Sequence, residues 1–329
     1  MRFAALTATQ TPGAWDGVVV AGLDGTIYNQ ASFKPLPSPD SGCGGTALLP
    51  PSAYIVQDRV YFADGTGTIR SLGISGSPTT VAQFPLISTQ QLLSFAVSPD
   101  GKQVLATIAT LPAGPTGAAT CRGEATSGDS NYYYDVFSAT SGGSSTSLSH
   151  QTIPANSLAN HLALPVVELD GWSARGPFGS KPSGFAAGPW IPSCIGLCRW
   201  ADAGNGGLWL LDPDTGAPLR VADADCRTYD VLAAGDYLCQ DNNERFYVKQ
   251  VNGTWRWTIG CTVGACFVNG GFLAPDTNQM LTQQPHNTDP GATTIVLGQD
   301  QSRVLIGGQF KPDGWFDNTT VAGDTDLRL

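Results

Sequence analysis

The sequence predicts an all-β fold assembled from repeated four-stranded sheets, and three observations predict it. Helical periodicity is nearly absent from the 329 residues, while short β-rich runs alternate with Gly-containing turns throughout. The 40 glycines and 23 prolines are dispersed among 41% apolar residues, a mixture too hydrophobic for disorder and too irregular for collagen. A repeat is also visible. Val18-Val19-Val20-Ala21, with Asp24-Gly25-Thr26-Ile27-Tyr28 after it, aligns with Val60-Tyr61-Phe62-Ala63 and Thr66-Gly67-Thr68-Ile69-Arg70.

The next strong strand after Val60, Gln103-Val104-Leu105-Ala106, keeps this spacing of about 40–45 residues, which with four short strands per unit marks β-propeller blades. Later units follow the same grammar. Leu208–Leu211 runs through Asp212-Pro213-Asp214-Thr215-Gly216 into Leu219–Val221, and Tyr237–Cys239, Phe246–Val248 and Trp255–Trp257 read as three consecutive strands. Thr293–Leu297 and Arg303–Ile306 form a further hairpin. About six blades result, with seven allowed, in a single domain over 1–329. The stretch from Trp315 to Leu329 has no unit of its own and is expected to complete the first blade. The two chain ends then share one sheet, and no row of unpaired strand edges is left.

The hairpins are expected at Asp24-Gly25, Asp64-Gly65, Asp100-Gly101, Asp170-Gly171, Asn252-Gly253 and Asp313-Gly314. Glycine takes positive φ without a steric penalty, and Asp or Asn tolerates it.

Phe95-Ala96-Val97-Ser98-Pro99-Asp100-Gly101-Lys102-Gln103-Val104-Leu105-Ala106 resembles the WD40-like (PD40) blade motif of TolB-type propellers, and Leu273–Met280 resembles a weaker copy. The resemblance implies that the Ser-Pro-Asp-Gly-Lys turn joins the innermost strand of a blade to the second. It covers about a dozen residues and implies fold alone, because such propellers bind peptides, proteins and glycans or support attached enzymes.

Charge narrows the partners. Only 13% of residues are charged, against roughly 25% in an ordinary soluble protein, and the net charge is −10 with a pI near 4.6. Clustered Lys and Arg for phosphate contact are missing, so neither nucleic acid nor a polybasic grip on lipid is expected. No run approaches the roughly 20 apolar residues of a transmembrane helix. Met1–Leu6 begins like a signal peptide but its apolar run stops early, so a leader is expected to have been removed or to precede the chain.

Eight cysteines, Cys43, Cys121, Cys194, Cys198, Cys226, Cys239, Cys261 and Cys266, form an even set with no Cys-x-x-Cys and only three histidines, which disfavours zinc. They allow 105 connectivities. Close spacing favours Cys194–Cys198, Cys226–Cys239 and Cys261–Cys266, leaving Cys43–Cys121. Oxidised cysteines and the sequons at Asn252 and Asn318 point to a secreted, cell-surface or periplasmic protein.

Two insertions depart from blade economy, residues 111–131 and 171–207. The second holds Trp172, Arg175, Phe178, Lys181, Phe185, Trp190, Arg199 and Trp200 beside two cysteines, and is expected to form either a binding rim or a structural cap. Hydrolase, metalloprotease and phosphate-loop motifs are absent. His150, His161 and His286 read as solvated loop residues, and a triad of His161, Asp170 and Ser173 has little to support it. The pairs Asp212 with Asp214, Asp223 with Asp225, and Asp324 with Asp326 occupy turn-like contexts, where Asp bonds nearby amides. Asp212 and Asp214 are weak Ca²⁺ candidates, and no other cofactor is expected.

The function these features favour is a non-catalytic extracellular or cell-surface scaffold that binds a protein, copies of itself, or a glycan. The alternative is a carbohydrate-binding or carbohydrate-active propeller using acidic and aromatic groups at the funnel mouth.

Overall fold

A computed structural model describes residues 2–8, 15–22, 26–37, 53–110, 131–154, 166, 168–180, 208–223, 225–240, 246–259, 271–274, 278–284, 293–298, 303–306, 310–317 and 320–325. Among these residues six β-sheets form. The first holds β1 (Arg2–Ala8), β2 (Trp15–Gly22) and β3 (Ile27–Ser32) together with β24 (Phe310–Asp317) and β25 (Thr320–Thr325). The second holds β4 (Tyr54–Val56), β5 (Arg59–Ala63), β6 (Thr68–Gly73) and β7 (Thr79–Gln83). The third holds β8 (Gln91–Val97), β9 (Gln103–Thr110), β10 (Asn131–Thr140) and β11 (Ser145–Pro154). The fourth is built from β12 (Glu168–Ser173), β13 (Gly176–Ser180), β14 (Leu208–Leu211) and β15 (Pro218–Val221). The fifth follows with β16 (Arg227–Val231), β17 (Tyr237–Gln240), β18 (Phe246–Lys249) and β19 (Trp255–Ile259). The sixth has β20 (Gly271–Leu273), β21 (Gln279–Gln284), β22 (Thr293–Gly298) and β23 (Arg303–Ile306).

From the second sheet to the sixth, strands are ordered as in the chain and every neighbour is antiparallel. The first strand of each sheet is the inner one. β24 lies against β4 and β20, β4 against β8, β8 against β12, and β16 against β20, while β14 meets β16 between the fourth and fifth sheets. The ring closes, and the fold is a β-propeller.

The closing sheet has five strands in the order β24-β25-β1-β2-β3. The chain ends share a sheet, as the sequence predicts, but the C-terminal contribution is a hairpin that begins at Phe310, ahead of Trp315. Its second strand pairs parallel to β1, with Phe3 opposite Val321 and Thr7 opposite Thr325. The hairpin adds two strands on the inner side, so the aligned runs Val18–Ala21 and Val60–Ala63 occupy different ladder positions. They nevertheless pack together, with Val18 and Val20 against Val60, Phe62 and Leu72.

Inner strands are covered on both faces by neighbouring sheets, which is why β8 is buried along its whole length and reads as a continuous apolar run. Phe95, Val104 and Ile108 face Ile69 and Phe84 of the preceding sheet. Leu105, Tyr134 and Val136 face Leu169 and Leu211 of the following one. Each such Leu, Val or Phe contributes ~1.5–3 kcal/mol by leaving water. Burial pushes the Tyr134 hydroxyl pKa upward, against the smaller opposing effect of the Thr107 side chain.

The turn Ser98–Lys102 joins inner strand β8 to β9, the place the resemblance implies. Asp100 Oδ1 accepts from Ser98 Oγ at 2.7 Å and from the Lys102 amide at 3.1 Å. Gly101 has φ of 71°, and a Cβ there would stand 2.8 Å from the Tyr61 hydroxyl. The backbone bond across this turn, from the Ser98 amide to the Gln103 carbonyl at 2.9 Å, has a counterpart from the Ala274 amide to the Gln279 carbonyl at 2.8 Å.

Two expected hairpin turns are instead β-bulges. Asp170-Gly171 lies inside β12, where register shifts between Leu169 and Gly171, and Asp313-Gly314 lies inside β24, where it shifts between Pro312 and Gly314. A Gly-containing pair serves an irregular strand as well as a turn. Sequence context alone does not separate the two. At Gly171 the reason is tertiary: an added Cβ would lie 2.7 Å from Phe178 Cζ. Asp24-Gly25 lies outside the described residues.

Candidate functional site: two unlike faces

The up-and-down order of strands divides the connections of the second to sixth sheets between two ends. At one end lie the turns from first to second strand and from third to fourth, of which 212–217 is the longest. At the other lie the connections from second to third strand and from sheet to sheet, including 33–53, 111–130, 155–167, 181–207 and 260–270. Contacts between turns agree with this division. The Ala174 amide, between β12 and β13, donates to the Ala233 carbonyl, between β16 and β17, at 2.8 Å. One face is therefore tightly turned and the other carries the long connections.

Cys43, Cys121, Cys194, Cys198, Cys261 and Cys266 belong to these long connections and lie outside the described residues. Cys226 and Cys239 are described and form the expected disulfide, with a Cα–Cα separation of 5.7 Å. It ties the entry into β16 to the neighbouring strand β17, and Cys239 is fully buried. Among the described residues no cysteine is free.

The expected insertion from 171 begins later. Gly171 to Ser180 continue a hairpin of the fourth sheet, in which most of the strand residues are buried between neighbouring sheets. Trp172 packs, half-buried, against the cluster between the third and fourth sheets. Phe178 is 3% exposed, within the cluster between the fourth and fifth. Neither belongs to a rim loop. Arg175 sits in the two-residue turn between β12 and β13 and crosses to the fifth sheet. Its Nη1 donates to the Tyr237 hydroxyl at 2.5 Å, and its guanidinium lies 5.2 Å from that ring's centre. This geometry joins sheets through a cation–π contact and a hydrogen bond. Lys181, Phe185, Trp190, Arg199 and Trp200 lie outside the described residues.

The acidic pairs have local duties. Asp212 Oδ1 accepts from the amides of Asp214 and Thr215 at 2.8 and 3.1 Å, an Asx turn that fully explains the Asp-Pro-Asp-Thr-Gly run. Asp223 accepts from Lys249 Nζ at 3.1 Å, and Asp225 Oδ2 stands 3.7 Å from the same nitrogen. The hydrogen bond to Asp223 raises the Lys249 pKa, and both carboxylates reinforce it. Asp324 falls in β25 opposite Lys311; Asp326 lies outside the described residues. Among the described residues no group of three or more His, Cys, Asp or Glu gathers in a way that would hold a metal ion.

Of the three histidines, His161 and His286 lie outside the described residues. His150 is not in a loop. It occupies edge strand β11 opposite Asp135, bonds that carboxylate through Nδ1 at 2.7 Å and stacks on Tyr133. Asp170 and Ser173, drawn into the weak triad, have other partners. Ser180 Oγ donates to Asp170 at 2.6 Å, and Ser173 Oγ accepts from the Arg175 amide at 3.1 Å. Asn252 sits exposed in the turn between β18 and β19, its Oδ1 accepting from the Thr254 amide at 2.9 Å. Asn318 lies outside the described residues.

The most polar buried arrangement was not anticipated. Asp64, 2% exposed, accepts from the hydroxyl and amide of Thr66, the amide of Thr68, and Arg70 Nε at 2.8 Å. Burial alone would raise its pKa, but these donors outweigh it and hold the carboxyl below its ordinary value of 3.8. The only sequence signal was the Asp-Gly turn. Tyr237 and Lys249 were missed as partners because Arg175 and Asp223 lie far from them in sequence.

No helix among the described residues is long and apolar enough to cross a membrane. The sequence matches no family model and no curated protein. Solved structures with a similar course of the chain include a candidate TolB from Agrobacterium tumefaciens, 11% identical with a TM-score of 0.40, covering 85% of this chain and 84% of that one. An oligogalacturonate lyase in complex with manganese is 8% identical with a TM-score of 0.48, covering 92% of this chain and 77% of that one. The oligogalacturonate lyase from Vibrio parahaemolyticus is 8% identical with a TM-score of 0.46, over 92% and 76%.

Proposed function

We propose that this chain is a non-catalytic scaffold of an extracellular or periplasmic compartment that binds a macromolecular partner through the face carrying the long connections. One observation carries the reading: from the second sheet to the sixth, the strand ends on one face are joined by tight turns, while every longer connection leaves and re-enters at the other. A face of short hairpins offers little variable surface, while binding residues concentrate on loops held by a rigid scaffold. Ile87, in the connection from β7 to β8 on the long-connection side, is 86% exposed, the kind of side chain a partner would cover. The Cys226–Cys239 bridge supports an oxidising compartment. Asp212 serves a turn and Asp223 and Asp225 an ion pair, which supports binding over catalysis.

The test places a photo-crosslinking residue at Ile87 on one face or at Ser144 on the other, in cells that make the protein. Crosslinks to one discrete partner, or to a second copy, are expected from position 87 and not from 144. Equal labelling from both faces sinks the reading. So does release of unsaturated or reducing sugar when the purified protein meets polysaccharides.

A further inference from the structure

A separate surface lies on the outer rim, between the fourth and fifth sheets. Trp255 begins edge strand β19 and is 54% exposed, unusual for the largest side chain in a protein with this few charges. Its ring is not loose. Tyr247 meets it edge-on at 5.9 Å and 68°, and Tyr247 itself packs against the buried cluster between the two sheets. The indole is thereby held against Tyr247, with part of its surface open to solvent.

Polar groups border that ring. Lys249 is the cross-strand partner of Trp255, so the two side chains leave the same side of the sheet, about 5 Å apart at Cβ. Tyr247 lies two residues earlier in β18 and shares that side. Lys249 is fixed in turn by Asp223 and Asp225 from the connection between the sheets, and the Asp225 side chain is 89% exposed. On the fourth sheet, Arg220 of β15 is exposed and pairs with Leu210, which belongs to the same inter-sheet cluster, so Arg220 points toward the fifth sheet. Lys249 stands beside this ring with its two carboxylate partners, Arg220 faces the same inter-sheet side, and the charges of the four groups cancel.

We infer that this surface is a binding site for neutral pyranosides, with the sugar's C–H face on Trp255 and its hydroxyls on Asp225, Lys249 and Arg220. A pyranose has an apolar face and a rim of hydroxyls, and it fits a flat ring bordered by fixed donors and acceptors. Val251 in the adjoining turn is also exposed, yet it and one indole together supply less apolar area than a protein partner would cover. An anionic sugar gains nothing from a set of charges that sums to zero. The site is separate from Ile87, which lies between the second and third sheets, whereas Trp255, Lys249 and Asp225 belong to the fourth and fifth sheets and the connection between them.

The test is calorimetric titration of the full chain with maltohexaose, cellohexaose, xylohexaose and chitohexaose, using protein shown by intact mass to be unmodified at Asn252. At least one is expected to bind. Trp255→Ala is expected to weaken it about tenfold or more, with Trp255→Phe intermediate. Asp225→Asn, at a solvated position that leaves folding intact, is expected to weaken the same sugar. The proposal is overturned if no hexasaccharide binds the wild type, or if neither Trp255→Ala nor Asp225→Asn changes the affinity. It is equally overturned if sedimentation shows that Trp255→Ala abolishes a self-association and no sugar binds. Crosslinking from position 87 is unaffected in every case, so this inference and the scaffold reading fail separately.

Discussion

The guanidinium of Arg175 in the fourth sheet lies over the ring of Tyr237 in the fifth and donates to its hydroxyl, so one side chain closes a sheet-to-sheet joint in two ways. The arginine stem also fills the space beside Gly235, whose added Cβ would stand 2.8 Å from Arg175 Cγ. Arg175→Ala removes both interactions and the packing of the stem, and is expected to cost ~1–2 kcal/mol in urea unfolding. Arg175→Lys is expected to recover only part, because an ammonium lacks the planar fork that stacks. An unchanged midpoint for Arg175→Ala would assign the residue to solvent instead.

Asp64 sets an acid limit. Its folded pKa is depressed, so the stability it contributes is present above the unfolded value near 3.8 and is lost as pH falls through the lower folded value. Asp64→Asn cannot accept from four donors in the same way and is expected to lose ~1–3 kcal/mol at neutral pH. Its stability profile should also be flatter than that of the wild type below pH 3.8. Parallel acid profiles for the two proteins would contradict this account.

Gly171 is a packing requirement. Gly171→Ala would force its Cβ to within 2.7 Å of Phe178 Cζ, and a clash with a buried ring is expected to cost ~1–3 kcal/mol. Adding Phe178→Leu should relieve part of the clash, so the double variant would be less unstable than the two single losses added together. Strict additivity would show that the two positions do not interact.

The bridge between Cys226 and Cys239 spans 13 residues. Cys226→Ser with Cys239→Ser is expected to cost about 3 kcal/mol by freeing the unfolded chain, plus the burden of a hydroxyl at the fully buried position 239. Cys239→Ala in place of Cys239→Ser separates the two contributions. Alkylation without reductant should leave both sulfurs unlabelled.

Several elements were legible because their causes are local. The Ser98–Lys102 turn declares itself through Asp100 capping its own amides and Gly101 taking positive φ. The Asp212 turn and the run of strands from Tyr237 to Trp257 are visible for the same reason. The Asp-Gly dipeptides at 170 and 313 misled because a bulge and a turn ask the same of a glycine. Only Phe178, arriving from the next strand, decides what Gly171 is for.

By itself the sequence determined the strand-and-turn alphabet, the sharing of one sheet by the two chain ends and one cysteine pair. These follow from backbone preferences and from apolar residues recurring within a few positions. Tertiary structure alone decided the parallel pairing of β1 with β25, the joint between Arg175 and Tyr237, the burial of Asp64, and the meeting of Trp255 with Lys249 and Asp225. It also decided that the long connections leave from one face. Such contacts depend on which surfaces meet when closed sheets stack about an axis, and residues distant along the chain carry no local mark of the neighbour they will find.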